Sequence, residues 1–358
     1  MRYIFVIQGE GRGHLTQALS LGDMLRRNGH EVSEVLVGRC KNRELPKFFS
    51  DKIDAPITQF DSPTFDYGQS GKRGRVLKTI FNNTTPVKMN KWRKSVNIIA
   101  KKINQSNCDV VVNFYEFLLG AAVMIHNLEK PIICIGHQFM IDHPRFKQSP
   151  SEGGTLMLRL NNHICSYGAH KRLALSFYPM KRALSRHIEV VPPLLRPEIY
   201  SLKSTTEGFV LGYILNPAYL SEIMVWKSQN PDTEVHLFWD KIGAAECEEK
   251  LPGLWLHKIN DKLFLEMMAK CRGYVTTAGF ESICEAMYLG KPVVMIPAHV
   301  EQQINAADAH SVGAGEISDE FNLTLLESAI ANYSADTESF RKWVDSAEEH
   351  MLRALTEI

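Results

Sequence analysis

The sequence predicts an α/β protein of two Rossmann-like parallel-sheet domains, and three observations carry that prediction. A strand-length apolar run, Arg2-Tyr-Ile-Phe-Val-Ile7, leads through Gly9, Gly11 and Gly13 into an amphipathic helical pattern. A second strand–turn–helix–turn–strand unit starts at Gly273, reaches Ile296 and opens into the polar segment Glu301 to Asn305. Between them the proline-rich stretch from Val190 to Pro197 coincides with a reversal of charge. Residues 1–196 hold 29 Lys and Arg against 15 Asp and Glu, and residues 197–358 hold 12 against 25, so the net charge of +1 hides a polarised chain. The linker is placed near 194–207. The expected domains are 1–200 and 201–336, followed by one amphipathic helix over 337–355.

Composition narrows the class. An apolar content of 44% over 358 residues supplies full cores for two domains. The seven cysteines are odd in number and lack CxxC spacing, so they suggest neither a zinc site nor a disulfide framework. With no signal-peptide pattern, the expected compartment is the reducing cytoplasm. No stretch is long enough to span a bilayer. Between Asp66 and Asp109 stand ten basic residues and no acid, including Lys72, Arg73, Arg75, Lys78, Lys91, Arg93, Lys94, Lys101 and Lys102. Trp92, Leu77, Ile80 and Phe81 are interleaved. This block (72–102) fits docking to an anionic membrane surface or a phosphate-bearing acceptor, each basic residue contributing roughly 1 kcal/mol near such a surface. A solvated helix face gives the same pattern. Nucleic acid is disfavoured, since no recognition motif for it is present.

In chain order, the first helix is expected over about Leu15 to Arg27, stopped by Asn28-Gly29-His30, with Glu31 to Val37 as the second strand. The glycine-rich turn is spaced GxGxG rather than GxGxxG, so a nicotinamide or flavin reading, with Glu31 or Glu34 on ribose, is the weaker alternative. His14 stands where that turn meets the helix. An imidazole there can take a proton from an attacking hydroxyl, and the helix N-terminus would keep it neutral. A histidine that only caps the helix or touches a ligand would look the same. Thr58 to Pro86 is loop-rich and reads as an acceptor lid. Lys88 to Asn104 reads as a basic helix. Asp109 to Val112 is a buried strand with Asn113-Phe-Tyr-Glu116 at its carboxyl end, and Pro131 to Gly136 is another, ending in His137-Gln138. Glu116 is the candidate to orient His14 or to meet the acceptor, and His137 and Gln138 are acceptor candidates. Ordinary loop polarity is the bland reading of all three.

In the second half, strands are expected at 209–215 and 234–239, and a helix at 262–270. Thr276, Thr277 and Gly279 precede the helix Glu281–Tyr288, whose free N–H groups and dipole suit phosphate oxygens. Glu285 can accept two hydrogen bonds from vicinal ribose hydroxyls, or with Ser282 can form a capping box. Glu301 and Gln302, read as a loop, offer sugar-hydroxyl partners. No Asp-x-Asp element occurs, so no bound metal is expected. One base, a hydroxyl nucleophile and no candidate covalent carboxylate make a single inverting displacement the simplest course.

These segments resemble a known family. Thr277-Ala-Gly-Phe-Glu-Ser-Ile-Cys-Glu285, Leu289-Gly-Lys-Pro292 and Glu301-Gln-Gln-Ile-Asn-Ala306 are similar to the donor motif of GT-B nucleotide-sugar glycosyltransferases. The resemblance extends to the plant secondary-product glucosyltransferases and to the bacterial GlcNAc transferase that builds the lipid-linked peptidoglycan precursor. Gly11-Arg-Gly-His-Leu15 is similar to their Gly-Gly-His turn. Asp109, Phe114, Glu116, His137 and Gln138 match a pattern of a less characterised bacterial GT-B family. The resemblance implies that Thr277 and Gly279 meet the diphosphate beside Phe280, Glu281 and Ser282. It implies that Glu285 holds ribose, that Glu301 and Gln302 hold the donor sugar, and that Asn216 and Ile259 contact phosphate and base. It makes His14 the base, supported by Glu116, and places Gly13, Gln17, His137 and Gln138 around the acceptor. The last helix would cross back onto the first domain. Four positions depart from the pattern: Thr277 stands for His, Gln17 for Pro and Asn113 for Asp, and the turn at Asn216 lacks Gly-Gly-Ser. The expected reaction uses a nucleotide-sugar, UDP-linked in the resembled enzymes, as co-substrate with no further cofactor. The expected acceptor is a hydroxyl compound, lipid-linked or presented at the inner face of the membrane. A nucleotide-sugar epimerase or hydrolase, or a non-catalytic nucleotide-sugar-binding protein, is the alternative on this scaffold.

Overall fold

A computed structural model of the protein describes residues 1–39, 45–63, 85–147, 152–214, 219–239, 241, 243–321 and 323–357. The chain divides into two units, Met1–Arg196 with Trp343–Ile358, and Pro197–Lys342. Asn216 and the segment 64–84, which holds Lys72, Arg73, Arg75, Lys78 and most of the proposed lid, lie outside the described residues.

The first unit is built from β1 (Arg2–Gln8), α1 (Arg12–Arg27), β2 (Glu31–Arg39), α2 (Lys47–Lys52), β3 (Ile57–Asp61), α3 (Pro86–Gln105), β4 (Val110–Phe114), α4 (Phe117–Ile125) and β5 (Ile132–Ile135). A 3-10 turn (His137–Asp142), α5 (Glu152–Cys165), β6 (Lys171–Leu175) and β7 (Ile188–Val191) complete it before the connection. The seven strands form one sheet in the order β3-β2-β1-β4-β5-β6-β7, all pairs parallel. A parallel sheet covered on both faces buries both sides of its strands, which is why Tyr3 to Ile7 are continuously apolar and fully buried. The chain leaves β1 towards β2 on one side and later returns to β4 on the other. That reversal between β1 and β4 is the topological switch point, where ligands of such sheets sit at the strands' carboxyl ends.

The second unit repeats the plan with β8 (Val210–Ile214), α6 (Tyr219–Gln229), β9 (Val235–Trp239), β10 (Cys247–Leu251), β11 (Leu254–Lys258), α7 (Asp261–Lys270), β12 (Gly273–Thr276) and α8 (Phe280–Tyr288). β13 (Val293–Met295), α9 (Val300–Ser311), β14 (Gly315–Ile317) and α10 (Leu325–Ala331) follow. Its order is β10-β11-β9-β8-β12-β13-β14, parallel except for the edge pair β10–β11. Here the switch point falls between β8 and β12.

At the C-terminus the single helix expected over 337–355 is two, α11 (Thr337–Asp345) and α12 (Ala347–Thr356). The two helices meet at Ser346, whose backbone N–H pairs three residues back with the Trp343 carbonyl at 3.3 Å, its hydroxyl donating to the same oxygen at 2.7 Å. Within the first unit the Trp343 indole donates to Ser176 O at 2.9 Å, and Asn28 and Arg27 at the end of α1 hold the Glu348 carboxylate at 2.6 and 2.8 Å. No helix among the described residues is long and apolar enough to cross a membrane.

Candidate active site

In the first unit the switch point is lined by the turn after β1 and the turn after β4. Gly9 donates to Gly38 O at 3.1 Å, and a Cβ on Gly9 would stand 2.2 Å from that oxygen, so only glycine lets the turn pass so close to β2. Gly11 is the N-cap of α1, with no side-chain cap and an ordinary φ of −102°. The helix therefore starts at Arg12, earlier than the sequence pattern suggested, and His14 is its third residue. His14 is half-buried and its Nδ1 is sealed from solvent, with no hydrogen-bond partner among the described residues. Its ring stacks on Tyr115 at 5.9 Å between centroids. Burial pushes its pKa down from 6.5 to about 4, with the Gln17 side chain one turn on opposing the shift. Gln17 is buried, and the Gly13 carbonyl accepts from Thr16 Oγ1 at 2.7 Å.

The turn after β4 is held by Asn113, which is fully buried. Its amide donates to Cys165 O at 2.8 Å and Glu116 O at 3.2 Å, while its oxygen accepts the Glu116 N–H at 2.8 Å. An aspartate has no N–H to give those carbonyls, so Asn113 is a brace built for an amide. Tyr115, in the left-handed region at φ +59°, is locked by its hydroxyl donating to Asn162 Oδ1 at 2.6 Å. The Glu116 carboxylate caps α4, with Oε1 accepting from Leu118 N at 3.0 Å and from the Ser62 hydroxyl at 2.7 Å. The described hydrogen bonds thus place Glu116 on Ser62 and Leu118, while the ring beside His14 is that of Tyr115. Glu116 Oε2 is buried, has no partner among the described residues, and lies over Gly38, where a Cβ would stand 2.2 Å away. Burial raises the carboxyl from 4.5 to about 7 against those two hydrogen bonds.

His137 and Gln138 follow β5, the strand beside β4, in a short helical turn rather than an open loop, and both are buried. His137 Nδ1 donates to Leu175 O at 2.7 Å, which fixes the tautomer, and burial lowers its pKa to about 4.

In the second unit β12 delivers Thr276 and Thr277, both buried, to the switch point. Ala278 then turns left-handed at φ +62°, and Gly279, at φ −68°, is the N-cap of α8 without a side-chain cap. The strained residue is thus the alanine, not the glycine. A Cβ on Gly279 would meet only Ser282 Oγ, at 3.6 Å, so the space in front of it is open. Ser282 is the third residue of α8 and donates back to Gly279 O at 3.1 Å, which removes the capping-box reading of Ser282 and Glu285. Glu285 is buried one turn further along. The Phe280 ring is buried too, leaving only its backbone to face a ligand. Gly290, left-handed at φ +69°, stops the helix. The buried Lys291 ammonium donates to Cys271 O at 3.0 Å and to Thr205 O, so Leu289-Gly-Lys-Pro292 works as packing.

Glu301 and Gln302 correct the sequence reading. They lie in the first turn of α9, not in a loop; His299 is its N-cap, its pKa lowered by burial to about 4. Gln302 Oε1 accepts the Ala298 N–H at 2.9 Å, which directs the amide NH2 away from the backbone. Asn305, one turn on and buried, donates to Ala278 O at 3.1 Å. Glu281 and Ser282 stand half-buried at the start of α8, and Ile259 follows β11, its N–H donating to Trp239 O at 3.2 Å. Sequence reasoning missed the left-handed Ala278 and Tyr115, and the supports Asn305, Asn162 and Ser62. Polar residues at helical spacing, Gln302 and Asn305, were the only signal available for one of these. Among the described residues no group of three or more His, Cys, Asp or Glu is placed to hold a metal ion.

Two doubly wound α/β units, each with a switch point, and an open glycine before a helix in the second are the features of the GT-B fold. The model of glycosyl transferase family 1 matches residues 1–333, and the chain belongs to that family. It is 25% identical over 340 residues to an uncharacterized glycosyltransferase of Methanosarcina acetivorans, covering 88% of this chain and 83% of that one. It is 24% identical over 383 residues to the UDP-N-acetylglucosamine–N-acetylmuramyl-(pentapeptide) pyrophosphoryl-undecaprenol N-acetylglucosamine transferase of Porphyromonas gingivalis, covering 99% and 88%. Among solved structures it is similar to the glycotransferase of kitacinnamycin, at a TM-score of 0.65 and 15% identity over 99% of this chain and 98% of that one. It is also similar to an Arabidopsis thaliana UGT complexed with UDP, at 0.61 and 13% over 97% and 94%. The protein is a glycosyltransferase, and its family transfers sugar from a nucleotide-sugar donor.

Proposed function

We propose that the protein is an inverting, metal-independent transferase that moves a sugar from a UDP-sugar to a hydroxyl acceptor. The observation that carries the reading is the uncapped start of α8 behind the open Gly279. The first N–H groups of a helix have no intrahelical partners, and with the dipole they suit the diphosphate of the donor and the charge that grows on it as it leaves. Thr277 adds a neutral hydroxyl, Glu285 takes the ribose hydroxyls, and the Glu301 carboxylate and Gln302 amide take those of the sugar. Ile259, after β11, completes the site on the side of the base. Relatives and neighbours whose names include UDP support that nucleotide.

His14 is the base in this reading. With Nδ1 sealed, Nε2 is the atom that takes the acceptor's proton while its oxygen attacks the anomeric carbon and the diphosphate leaves from the opposite face. The low pKa keeps His14 unprotonated at neutral pH, which a base requires. Gly13, Gln17, His137 and Gln138 line the acceptor side, and Glu116 shapes it through the β4 turn. The acceptor is lipid-linked or membrane-presented. This is supported by the undecaprenol-bearing substrate in one relative's name and by exposed Lys91, Arg93, Lys94 and Lys101 on α3. Lys102 is set apart from them by its ion pair with Glu34 at 2.5 Å.

The test is product analysis by mass spectrometry after incubation with UDP-glucose, UDP-GlcNAc and UDP-galactose, with and without a bacterial lipid extract. Transfer predicts UDP release together with a lipid heavier by one hexose or one N-acetylhexosamine. Free sugar formed equally without the extract would mean hydrolysis and would sink the reading.

A further inference from the structure

We propose that Asn305 is a positioning residue for the diphosphate-binding turn. Its amide holds Ala278 in the left-handed conformation that presents the Gly279 N–H and the start of α8 to a ligand phosphate. The inference rests on the donor-site reading above and adds to it a residue outside the proposed ligand set.

Ala278 has a φ of +62°, which the Cβ of an L-residue opposes. It is fully buried, so solvent does not hold its carbonyl in place. The atom that does is Asn305 Nδ2, at 3.1 Å, on a side chain only 2% exposed. The described backbone has no cis peptides. In a planar trans peptide the carbonyl and the following N–H point in opposite directions. Gripping the Ala278 carbonyl from α9 therefore turns the Gly279 N–H away from Asn305, and the position a Cβ on Gly279 would take is itself open, with only Ser282 Oγ within reach. A matching contact lies one turn earlier on α9, where Gln302 Oε1 accepts the Ala298 N–H at 2.9 Å. A third link, Ile296 N to Thr276 O at 2.8 Å, joins the two loops directly. α9 thus fixes both loops of the site from one face, with residues at i and i+3.

A left-handed alanine is disfavoured by about 5- to 30-fold against its right-handed states. Without the Asn305 amide the turn relaxes by that factor, and the diphosphate-binding form becomes a minority. Glycine at 278 adopts the same φ freely. Asn305 should therefore matter when residue 278 is alanine and matter little when it is glycine.

The experiment is a double-mutant cycle of wild type, Asn305→Ala, Ala278→Gly and the double variant, read by UDP titration calorimetry and by thermal unfolding without nucleotide. The expected result is a loss of UDP affinity of about 5- to 30-fold in Asn305→Ala, shrinking to less than about threefold when residue 278 is glycine. Asn305→Asp keeps the shape but loses the donor, and serves in the same cycle should the alanine variant not fold. An equal loss in both backgrounds, or no loss in either, overturns the proposal. If none of the proteins binds UDP, the donor-site reading itself has failed. The hold on Ala278 is then judged by unfolding alone: Ala278→Gly must raise the melting temperature more in the Asn305→Ala background than in the wild type, and equal shifts refute it.

Discussion

Half-buried His14 and fully buried Glu116 are titratable groups whose environments push them in opposite directions, and each supports a prediction. Removing the proposed base, as in His14→Ala, should lower kcat by about 100- to 10,000-fold and leave UDP affinity within a fewfold of wild type, as read by steady-state kinetics beside calorimetry. Because burial lowers the His14 pKa to about 4, kcat/KM should stay level as pH falls through 6.5 and decline only towards 4. The same burial sets a stability rule. His14, His137 and His257, all lowered from 6.5 to about 4, are neutral in the folded state where the unfolded chain is already protonated. Their contribution is complete above pH 6.5 and is lost as pH falls from there to about 4. Glu116 runs the other way: raised from 4.5 to about 7, it favours the fold below pH 4.5 and loses that contribution as pH rises through 7. Glu116→Gln should therefore be more stable than wild type at pH 8, by on the order of 3 kcal/mol, and indistinguishable from it near pH 4. Urea unfolding at the two pH values measures this, and an effect of equal size at both would show that charge is not the cause. None of these environments could be read from the sequence. His14 was legible as a residue at a strand–helix turn, but its burial and its stacking on Tyr115 come from a distant strand. Asn113 looked like a lost aspartate and is instead an amide that two carbonyls require.

At the scale of elements, the strands were legible wherever both faces are buried, because such strands are unbroken apolar runs: Tyr3 to Ile7, Val110 to Val112 and Val293 to Met295. The helix after Gly279 was legible from its apolar spacing and its Gly290 stop. The segment 301–305 was misread because two glutamines and an asparagine are ordinary surface residues. In the fold Gln302 and Asn305 are buried and spend their amides on Ala298 and Ala278. A turn that buries polar groups against backbone leaves no apolar period for the eye to find. The terminal helix was misread for a local reason, the backbone N–H of Ser346 pairing three residues back with Trp343 and tightening the chain there. The basic helix α3 carries a prediction of its own. Lys91 and Lys94 are exposed and make no ion pair among the described residues. Reversing both to glutamate should weaken co-sedimentation with phosphatidylglycerol vesicles by about tenfold or more, while UDP affinity is unchanged. Unaltered vesicle binding would make α3 a merely solvated face.

At the scale of the whole molecule, the α/β class with two doubly wound sheets followed from the sequence, and each sheet places a strand-order reversal where its glycine-bearing turn lies. The central claim is that the second of those turns binds the diphosphate of a UDP-sugar. A ligand at a hundred times its Kd stabilises a protein by roughly 2.7 kcal/mol, so UDP should raise the melting temperature measurably. The most direct measurement is UDP titration of wild type beside Gly279→Ala. The new methyl meets only Ser282 Oγ, at 3.6 Å, at an ordinary φ of −68°, so the fold has no reason to object. The account predicts an unchanged melting temperature without nucleotide and a loss of UDP affinity of about tenfold or more, because the methyl stands where the phosphate approaches the backbone. Equal UDP affinity in the two proteins would contradict it.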